Sequence, residues 1–116
     1  MARILGGNGS LFDQFIGEIR NIDVQNDRMR FRRNLERIGE LMAYEISKEL
    51  EWNSGTLTTP LGEVELPILN SQPILATILR AGLPMHQGLL NYFDHADNCF
   101  ISAYRMNHKS DGSFDI

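Results

Sequence analysis

Residues 74–105 read ILATILRAGLPMHQGLLNYFDHADNCFISAYR, and this stretch decides the fold. The continuous apolar run Ile74–Leu79 is typical of a strand that is buried on both faces of a parallel sheet. Pro84 can occupy the first position of a helix, and residues 100–104 predict a second strand after a polar turn. A strand, a helix and a second strand in this order indicate a βαβ unit, in which the two strands lie parallel.

An arginine follows each of these two predicted strands. Parallel strands end at the same edge of a sheet, and ligands of open α/β sheets bind beyond that edge. We therefore expect Arg80 and Arg105 to lie on one rim, where each could bind phosphate through two hydrogen bonds. Gly82 precedes a predicted helix, and a glycine there lets backbone N–H groups approach an anion. The pattern predicts a phosphate or pyrophosphate pocket, and the alternative is two ordinary strand-end arginines paired with surface carboxylates.

Two helices and a β-hairpin are predicted ahead of this unit. Ser10 is a suitable N-cap for a helix over residues 11–20, and apolar residues at steps of three and four predict a longer helix from about Asp27 to Glu51. Alternating runs around Pro60-Leu61-Gly62 predict the hairpin, which needs a surface to pack on and is a candidate arm for gripping another subunit. The expected segments are a flexible terminus (1–10), a helical segment (11–53), a hairpin arm (54–69) and a first βαβ unit (70–116).

Five arginines crowd the first turns of the longer helix, where cations oppose the helix dipole. They are Arg28, Arg30, Arg32, Arg33 and Arg37. One interpretation is a solvated face on which Arg32 and Arg33 pair with Glu36. The other is a contact with a partner subunit or an anionic ligand, and the pattern alone leaves both interpretations open.

Composition limits the function classes. The chain has 116 residues, of which 42% are apolar and 22% charged, as expected for one globular domain. Its net charge of −4 argues against a general nucleic-acid binder. A single cysteine, Cys99, and the lack of a signal-peptide pattern or an apolar run of about 18 residues favour a cytoplasmic protein. Metal-ligand spacing is absent from the sequence, and we expect His86 to have a capping or packing role.

Four sequence blocks resemble one known family. They occur in the order and at the spacing seen in uracil phosphoribosyltransferases, and the resemblance extends from about residue 20 to residue 116. It implies the amino-terminal part of a phosphoribosyltransferase type I fold, an α/β architecture with a parallel sheet flanked by helices and a β-hairpin arm. The arm would contact a second subunit in a homodimer or higher oligomer. The blocks are Ile-Leu-Arg-Ala-Gly-Leu at 78–83, Ser-Ala-Tyr-Arg at 102–105, Leu-Met-Ala-Tyr-Glu at 41–45 and Thr-Pro-Leu-Gly at 59–62.

The resemblance also implies a chemistry. Enzymes of this family transfer a phosphoribosyl group from phosphoribosyl pyrophosphate to uracil, which gives UMP and pyrophosphate, with Mg²⁺ bound alongside the phosphoribosyl pyrophosphate. By this resemblance Arg80, Ala81 and Gly82 form the pyrophosphate loop, and Arg80 and Arg105 bind phosphoribosyl pyrophosphate. It further suggests a cis peptide bond near Leu79–Arg80. No residue of this sequence is recognisable as the base that would act on the uracil nitrogen.

Two functional segments of the family have no counterpart in this sequence. These are the ribose-phosphate loop and the segment that binds uracil. We therefore expect a fragment of the enzyme that is inactive, or very nearly so, when alone. Two alternatives remain: a non-catalytic binding or assembly module derived from the family, and a related enzyme that uses another base.

Overall fold

The structure is a computed structural model, and it describes residues 3–103. Two of its strands form an antiparallel hairpin and the other two form a separate parallel sheet. The mixed α/β architecture predicted from the sequence is thus confirmed. None of the helices in the described part of the chain is long and apolar enough to cross a membrane. The elements are α1 (Leu11–Arg20), α2 (Arg28–Ser47), β1 (Trp52–Thr59), β2 (Gly62–Leu69), β3 (Ile74–Leu79), α3 (Leu83–Tyr92) and β4 (Asp97–Ser102).

The ends of α2 reflect local hydrogen bonds. Asp27 caps its start, since the Asp27 carboxylate accepts a hydrogen bond from the Arg30 N–H at 3.1 Å. The helix ends at Ser47 and does not continue to Glu51, although the apolar stripe does. The Ser47 carbonyl oxygen accepts a hydrogen bond from the Trp52 indole N–H at 2.8 Å. Trp52 therefore anchors the start of β1 to the end of the helix.

Helix α2 packs against both α1 and α3. Its contact with α3 passes through glycines, because a methyl group on Gly39 would overlap the Met85 carbonyl oxygen. A methyl group on Gly88, in α3, would likewise overlap the Glu36 carbonyl oxygen. The two backbones therefore touch directly at the crossing. The apolar stripe predicted one buried face of α2, but the contact through Gly39 and Gly88 was not predicted from the sequence.

The expected burial of β3 on both faces is wrong for this chain. Leu75 belongs to the buried core, which it forms with Ala43, Phe93 and Ala96. By contrast, Ile74 is 71% exposed and Ile78 is 59% exposed. Alternation along a strand directs these two isoleucines to the opposite face, and no element within residues 3–103 covers that face. The apolar run is continuous although only one of its faces is packed here.

The hairpin has the predicted turn. Pro60 and Leu61 form the loop between the paired residues Thr59 and Gly62. The φ of Gly62 is 131°, a conformation that other residues adopt only with strain, so glycine is required there. The Thr59 hydroxyl donates to the Gly62 carbonyl oxygen at 2.7 Å and closes the turn.

One face of the hairpin is apolar and the other is polar near the tip. The register places Leu57 opposite Val64 on the apolar face, and it places Thr58 opposite Glu63 on the polar face. At the base, Leu69 packs against the core. Trp52, also at the base, contacts the end of α2. Beyond its base, the hairpin packs against no other described element.

Candidate functional site

The parallel sheet brings the ends of β3 and β4 to one edge. The two strands pair in register from Ile74 opposite Asp97 to Leu79 opposite Ser102. Strand β4 begins at Asp97, earlier than the predicted start at residue 100. The parallel arrangement predicted for the βαβ unit is present, and Arg80 directly follows β3. Arg105, the second predicted ligand of the anion, lies outside the described residues.

The loop from Arg80 to Gly82 forms a tight turn between β3 and α3. The peptide bond between Leu79 and Arg80 is cis, as the family resemblance suggested. The Leu83 N–H donates to the Arg80 carbonyl oxygen at 3.1 Å. Arg80 and Ala81 are both exposed. Within the described residues, the Ala81 N–H has no backbone acceptor, which makes it a candidate donor to a ligand.

Gly82 is required by close packing. Its φ of −78° is accessible to any residue, but a methyl group at this position would overlap the Thr77 hydroxyl and would lie 3.0 Å from the Ile78 carbonyl oxygen. The Gly82 N–H donates to that carbonyl oxygen at 3.2 Å. This N–H is therefore engaged within the loop. Any larger residue would push the loop away from the end of β3.

His86 fixes α3 to β4 beneath the loop. Its backbone N–H donates to the Gly82 carbonyl oxygen at 2.9 Å, and its side chain is buried. The Asn98 side-chain N–H donates to the Ala96 carbonyl oxygen, so the oxygen Asn98 Oδ1 faces the imidazole, and His86 Nε2 lies 2.7 Å from it. Because that oxygen can only accept, His86 Nε2 carries the proton. The histidine ring also lies against Phe100, at 5.1 Å between ring centroids. The expected packing role of His86 is confirmed.

Asn98 was not identified from the sequence. It lies in β4 before the apolar residues that indicated this strand, and its position beside Leu75 follows only from the parallel register. A polar residue that is placed between a strand and a helix needs a partner. The one signal in the sequence was the presence of a histidine on the facing helix, and that signal is weak without the register.

The arginines at the start of α2 are partly paired. Arg33 forms the predicted ion pair with Glu36, whereas no ion pair joins Arg32 to Glu36 within the described part of the chain. Arg30 pairs with Glu18 of α1 at 2.7 Å, and this hydrogen bond lowers the pKa of the Glu18 carboxyl group. These contacts support the solvated-face interpretation for two of the five arginines.

A third arginine of this group, Arg37, contacts a buried residue. The Arg37 guanidinium donates to Asn34 Oδ1 at 3.0 Å and lies 5.3 Å from the ring centroid of Phe15. Asn34 is fully buried, and its amide also approaches Glu18 at 3.4 Å. Asn34, like Asn98, was not identified from the sequence. The contacts of Arg37 and Asn34 with Phe15 and Glu18 therefore join α2 to α1.

Residues 3–103 contain no group of three or more histidine, cysteine or acidic side chains that could hold a metal ion. The donors available at the loop are a guanidinium and a backbone N–H, which attract anions. The edge of the β3–β4 sheet is thus suited to a phosphate or pyrophosphate group.

Comparison with known proteins gives the family. The family model "Uracil phosphoribosyltransferase" matches residues 10–113. A uracil phosphoribosyltransferase of Porphyromonas gingivalis is 55% identical over 112 residues, which cover 97% of this chain and 51% of that protein. One from Thermococcus sibiricus is 35% identical over 94 residues, which cover 79% of this chain and 40% of that protein.

A solved structure shares the fold. The AQ2163 protein from Aquifex aeolicus superimposes with a TM-score of 0.72 at 22% identity, and the match covers 97% of this chain and 53% of that one. This chain spans about half the length of the curated relatives that it matches. Because the family model matches most of its residues, the chain belongs to the uracil phosphoribosyltransferase family.

Proposed function

We propose that this chain supplies the pyrophosphate-binding half of a uracil phosphoribosyltransferase site. The reaction is the transfer of a phosphoribosyl group from phosphoribosyl pyrophosphate to uracil, which gives UMP and pyrophosphate. The observation that carries the proposal is the Arg80–Gly82 loop at the end of a parallel strand in a chain of this family. A cytoplasmic location is part of the proposal and rests on the single cysteine, which suits a reducing compartment.

The proposed ligands act on the leaving group. Negative charge develops on the departing pyrophosphate while the ribose carbon becomes cationic. A fixed guanidinium from Arg80, the Ala81 N–H and the guanidinium of Arg105 would stabilise that charge in the transition state. Gly82 serves by letting the loop lie against the end of β3. The group that accepts the proton of uracil is assigned to no residue of this chain.

Magnesium enters the proposal with the substrate. The donor set of the described residues does not fit a protein-held cation, since it contains no acidic cluster. Mg²⁺ commonly binds substrate phosphates while retaining water ligands. We therefore assign the ion to the oxygens of phosphoribosyl pyrophosphate, and no step is assigned to it here.

The test is binding of pyrophosphate and phosphoribosyl pyrophosphate to the chain, measured by isothermal titration calorimetry. Arg80→Gln should weaken binding by roughly tenfold or more, since a hydrogen bond to a charged group contributes about 1.5–3 kcal/mol. Arg105→Gln should do the same. Arg20→Gln, an exposed arginine in the last turn of α1, is the matched control. Equal affinities in all three variants would refute the assignment.

Self-association through the hairpin is a further part of the proposal. The apolar side of the hairpin, with Leu57 opposite Val64, is exposed in a segment that packs on no other described element beyond its base. A two-stranded hairpin is marginal in water unless it packs on something. A second copy of the chain provides that surface in a homodimer or a higher oligomer.

Two lysine variants test the arm on opposite faces. Val64→Lys places a charge on the apolar side and should dissociate the oligomer in analytical ultracentrifugation, because an unpaired charge resists burial. Thr58→Lys lies on the polar side opposite Glu63 and should leave assembly intact. A chain that stays monomeric at all concentrations, or a Val64→Lys variant that still assembles, would exclude this role.

A further inference from the structure

A groove lies between the start of α2 and the start of α3, and we call it the α2–α3 groove. Its volume is about 390 Å³. Arg32 and Arg33 line it from α2, and Leu83 and Pro84 line it from α3. Leu83 directly follows the Arg80–Gly82 loop, and its N–H donates to a carbonyl oxygen of that loop. The groove therefore opens beside the predicted anion site.

The α2–α3 groove carries a positive charge that no carboxylate offsets. Glu36 also lines the groove, but its carboxylate pairs with Arg33. Arg32 is exposed, and no ion pair joins it to a carboxylate in the part of the chain that the structure describes. The other lining residues are uncharged and mostly apolar, and they are Met29, Leu83, Pro84 and Gln87.

The two helix starts add to this positive potential. The positive end of a helix dipole lies at the amino terminus, where acidic side chains stabilise the helix. Neither α2 nor α3 has an acidic residue in its first turn. The Asp27 carboxylate, which caps α2, lines a neighbouring cavity beside Arg30 and does not line this groove. The groove therefore joins two positive helix ends to the charge of Arg32.

We propose that the α2–α3 groove is an entry path that guides a phosphate-bearing anion to the Arg80–Gly82 loop. The chain has a net charge of −4, which repels such an anion at long range. A cleft with one sign of charge and walls of low dielectric constant focuses its field and speeds the association of an oppositely charged ligand. Arg32 supplies the charge, and Met29 and Leu83 supply apolar walls.

This role deepens the proposed function and rests on it. The solvated-face interpretation of the α2 arginines accounts for Arg30 and Arg33, which have carboxylate partners, and leaves Arg32 without one in the described residues. Guidance of an anion gives Arg32 a function that does not require contact with the bound ligand. It therefore acts on the rate of association and leaves the rate of dissociation to the loop.

The test separates these two rates, with pyrophosphate as the probe. Line-shape analysis of the Ala81 amide signal during an NMR titration of the chain gives both rate constants. At about 0.1 M salt, Arg32→Gln should lower the association rate constant by roughly threefold or more, since steering contributes tenfold or more. The dissociation rate constant should not change. The loss should vanish at about 1 M salt, because the Debye length falls there to about 3 Å.

Two more variants place the effect in the groove. Gln87→Glu puts a negative charge on the wall that α3 provides, and it should slow association with the same dependence on salt. Lys48→Gln removes the same charge as Arg32→Gln at the other end of α2, about 24 Å away at 1.5 Å per residue, and should keep the parent rate. All three side chains are exposed, so the variants should melt close to the temperature of the parent chain.

The outcomes separate the entry path from the site that it serves. Equal association rate constants in Arg32→Gln and Lys48→Gln, or a loss that persists at high salt, overturn the entry path. Faster dissociation at an unchanged association rate makes Arg32 a direct contact of the anion and overturns it too. So does a loss of self-association in Arg32→Gln, which assigns the arginine to a partner subunit.

Arg80→Gln in the same titration distinguishes the two proposals. Binding that Arg80→Gln weakens and Arg32→Gln leaves unaltered refutes the entry path alone. A parent chain that does not bind pyrophosphate refutes the proposed function, and the entry path with it.

Discussion

The crossing of α2 and α3 makes the free energy of unfolding sensitive to one methyl group. In Gly88→Ala the added carbon would overlap the Glu36 carbonyl oxygen and would lie 2.9 Å from the Glu40 amide nitrogen. Both atoms belong to the backbone of α2, so neither can move aside by a change of side-chain rotamer. The helices must separate, or the variant must keep the strain.

Two effects of opposite sign set the size of the change. Replacing glycine by alanine inside a helix stabilises by about 0.5–1 kcal/mol. Overpacking costs about 1–3 kcal/mol, and the upper end applies because the obstacle is backbone on more than one side. The expected net loss is about 2 kcal/mol, which lowers the Tm by roughly 8–10 °C for a domain of this size.

Gly17→Ala in α1 is the matched control. Its methyl group would meet nothing within 4 Å, so only the helix-propensity gain of about 0.5–1 kcal/mol remains. Urea unfolding followed by circular dichroism at the helix band gives both free energies. A Gly88→Ala variant that is stabilised like Gly17→Ala would refute the close backbone contact.

Two further predictions concern α2. Asp27→Ala should lower the free energy of unfolding by about 1 kcal/mol, because the Asp27 carboxylate accepts a hydrogen bond from the Arg30 N–H. Ser10→Ala is the control and should change the free energy far less, because Ser10 makes no side-chain cap bond at its helix start. Equal losses for the two variants in urea unfolding would contradict the capping role of Asp27. The hydrogen bond from Arg30 lowers the pKa of Glu18 from its ordinary 4.5. As the pH falls, Glu18 is therefore protonated in the unfolded chain before it is protonated in the folded one. The contribution of the Glu18–Arg30 pair to the free energy of unfolding is thus lost on acidification. The Tm difference between the parent and Glu18→Gln should therefore narrow from about pH 6 to about pH 3, and a constant difference would contradict this linkage.

Elements whose residues carry their own local signal were predictable. The helix Leu11–Arg20 and the strand Ile74–Leu79 have the predicted bounds, because each is defined by periodicity and by a clear break at its end. The start of β4 was not predictable from periodicity, since Asp97 and Asn98 are polar and enter the strand through their pairing with β3. The end of α2 at Ser47 was not predictable from periodicity, since the apolar stripe runs on to Leu50, whereas the Ser47 carbonyl oxygen accepts a hydrogen bond from the Trp52 indole.

The candidate site was predictable in position more than in detail. The expectation that strands followed by arginines lie parallel needed only the order of elements, and the β3–β4 pairing agrees with it. The state of the Gly82 N–H was not accessible from sequence, because its acceptor, the Ile78 carbonyl oxygen, is set by the shape of the turn. Whether Arg80 and Arg105 bind one anion stays a prediction.

The position of the Arg80–Gly82 loop depends more on the packing of α3 than on contacts made by the loop's own side chains. Arg80 and Ala81 are exposed, so few contacts of their own hold them. Helix α3 is held on one side by the glycine crossing with α2 and on the other by the hydrogen bond from His86 to Asn98. The His86 N–H also binds the Gly82 carbonyl oxygen, which ties the loop to that helix. We therefore expect a change at the crossing to displace Arg80 and Ala81 together with the helix, so that the predicted anion affinity of the loop should respond to the packing between α2 and α3.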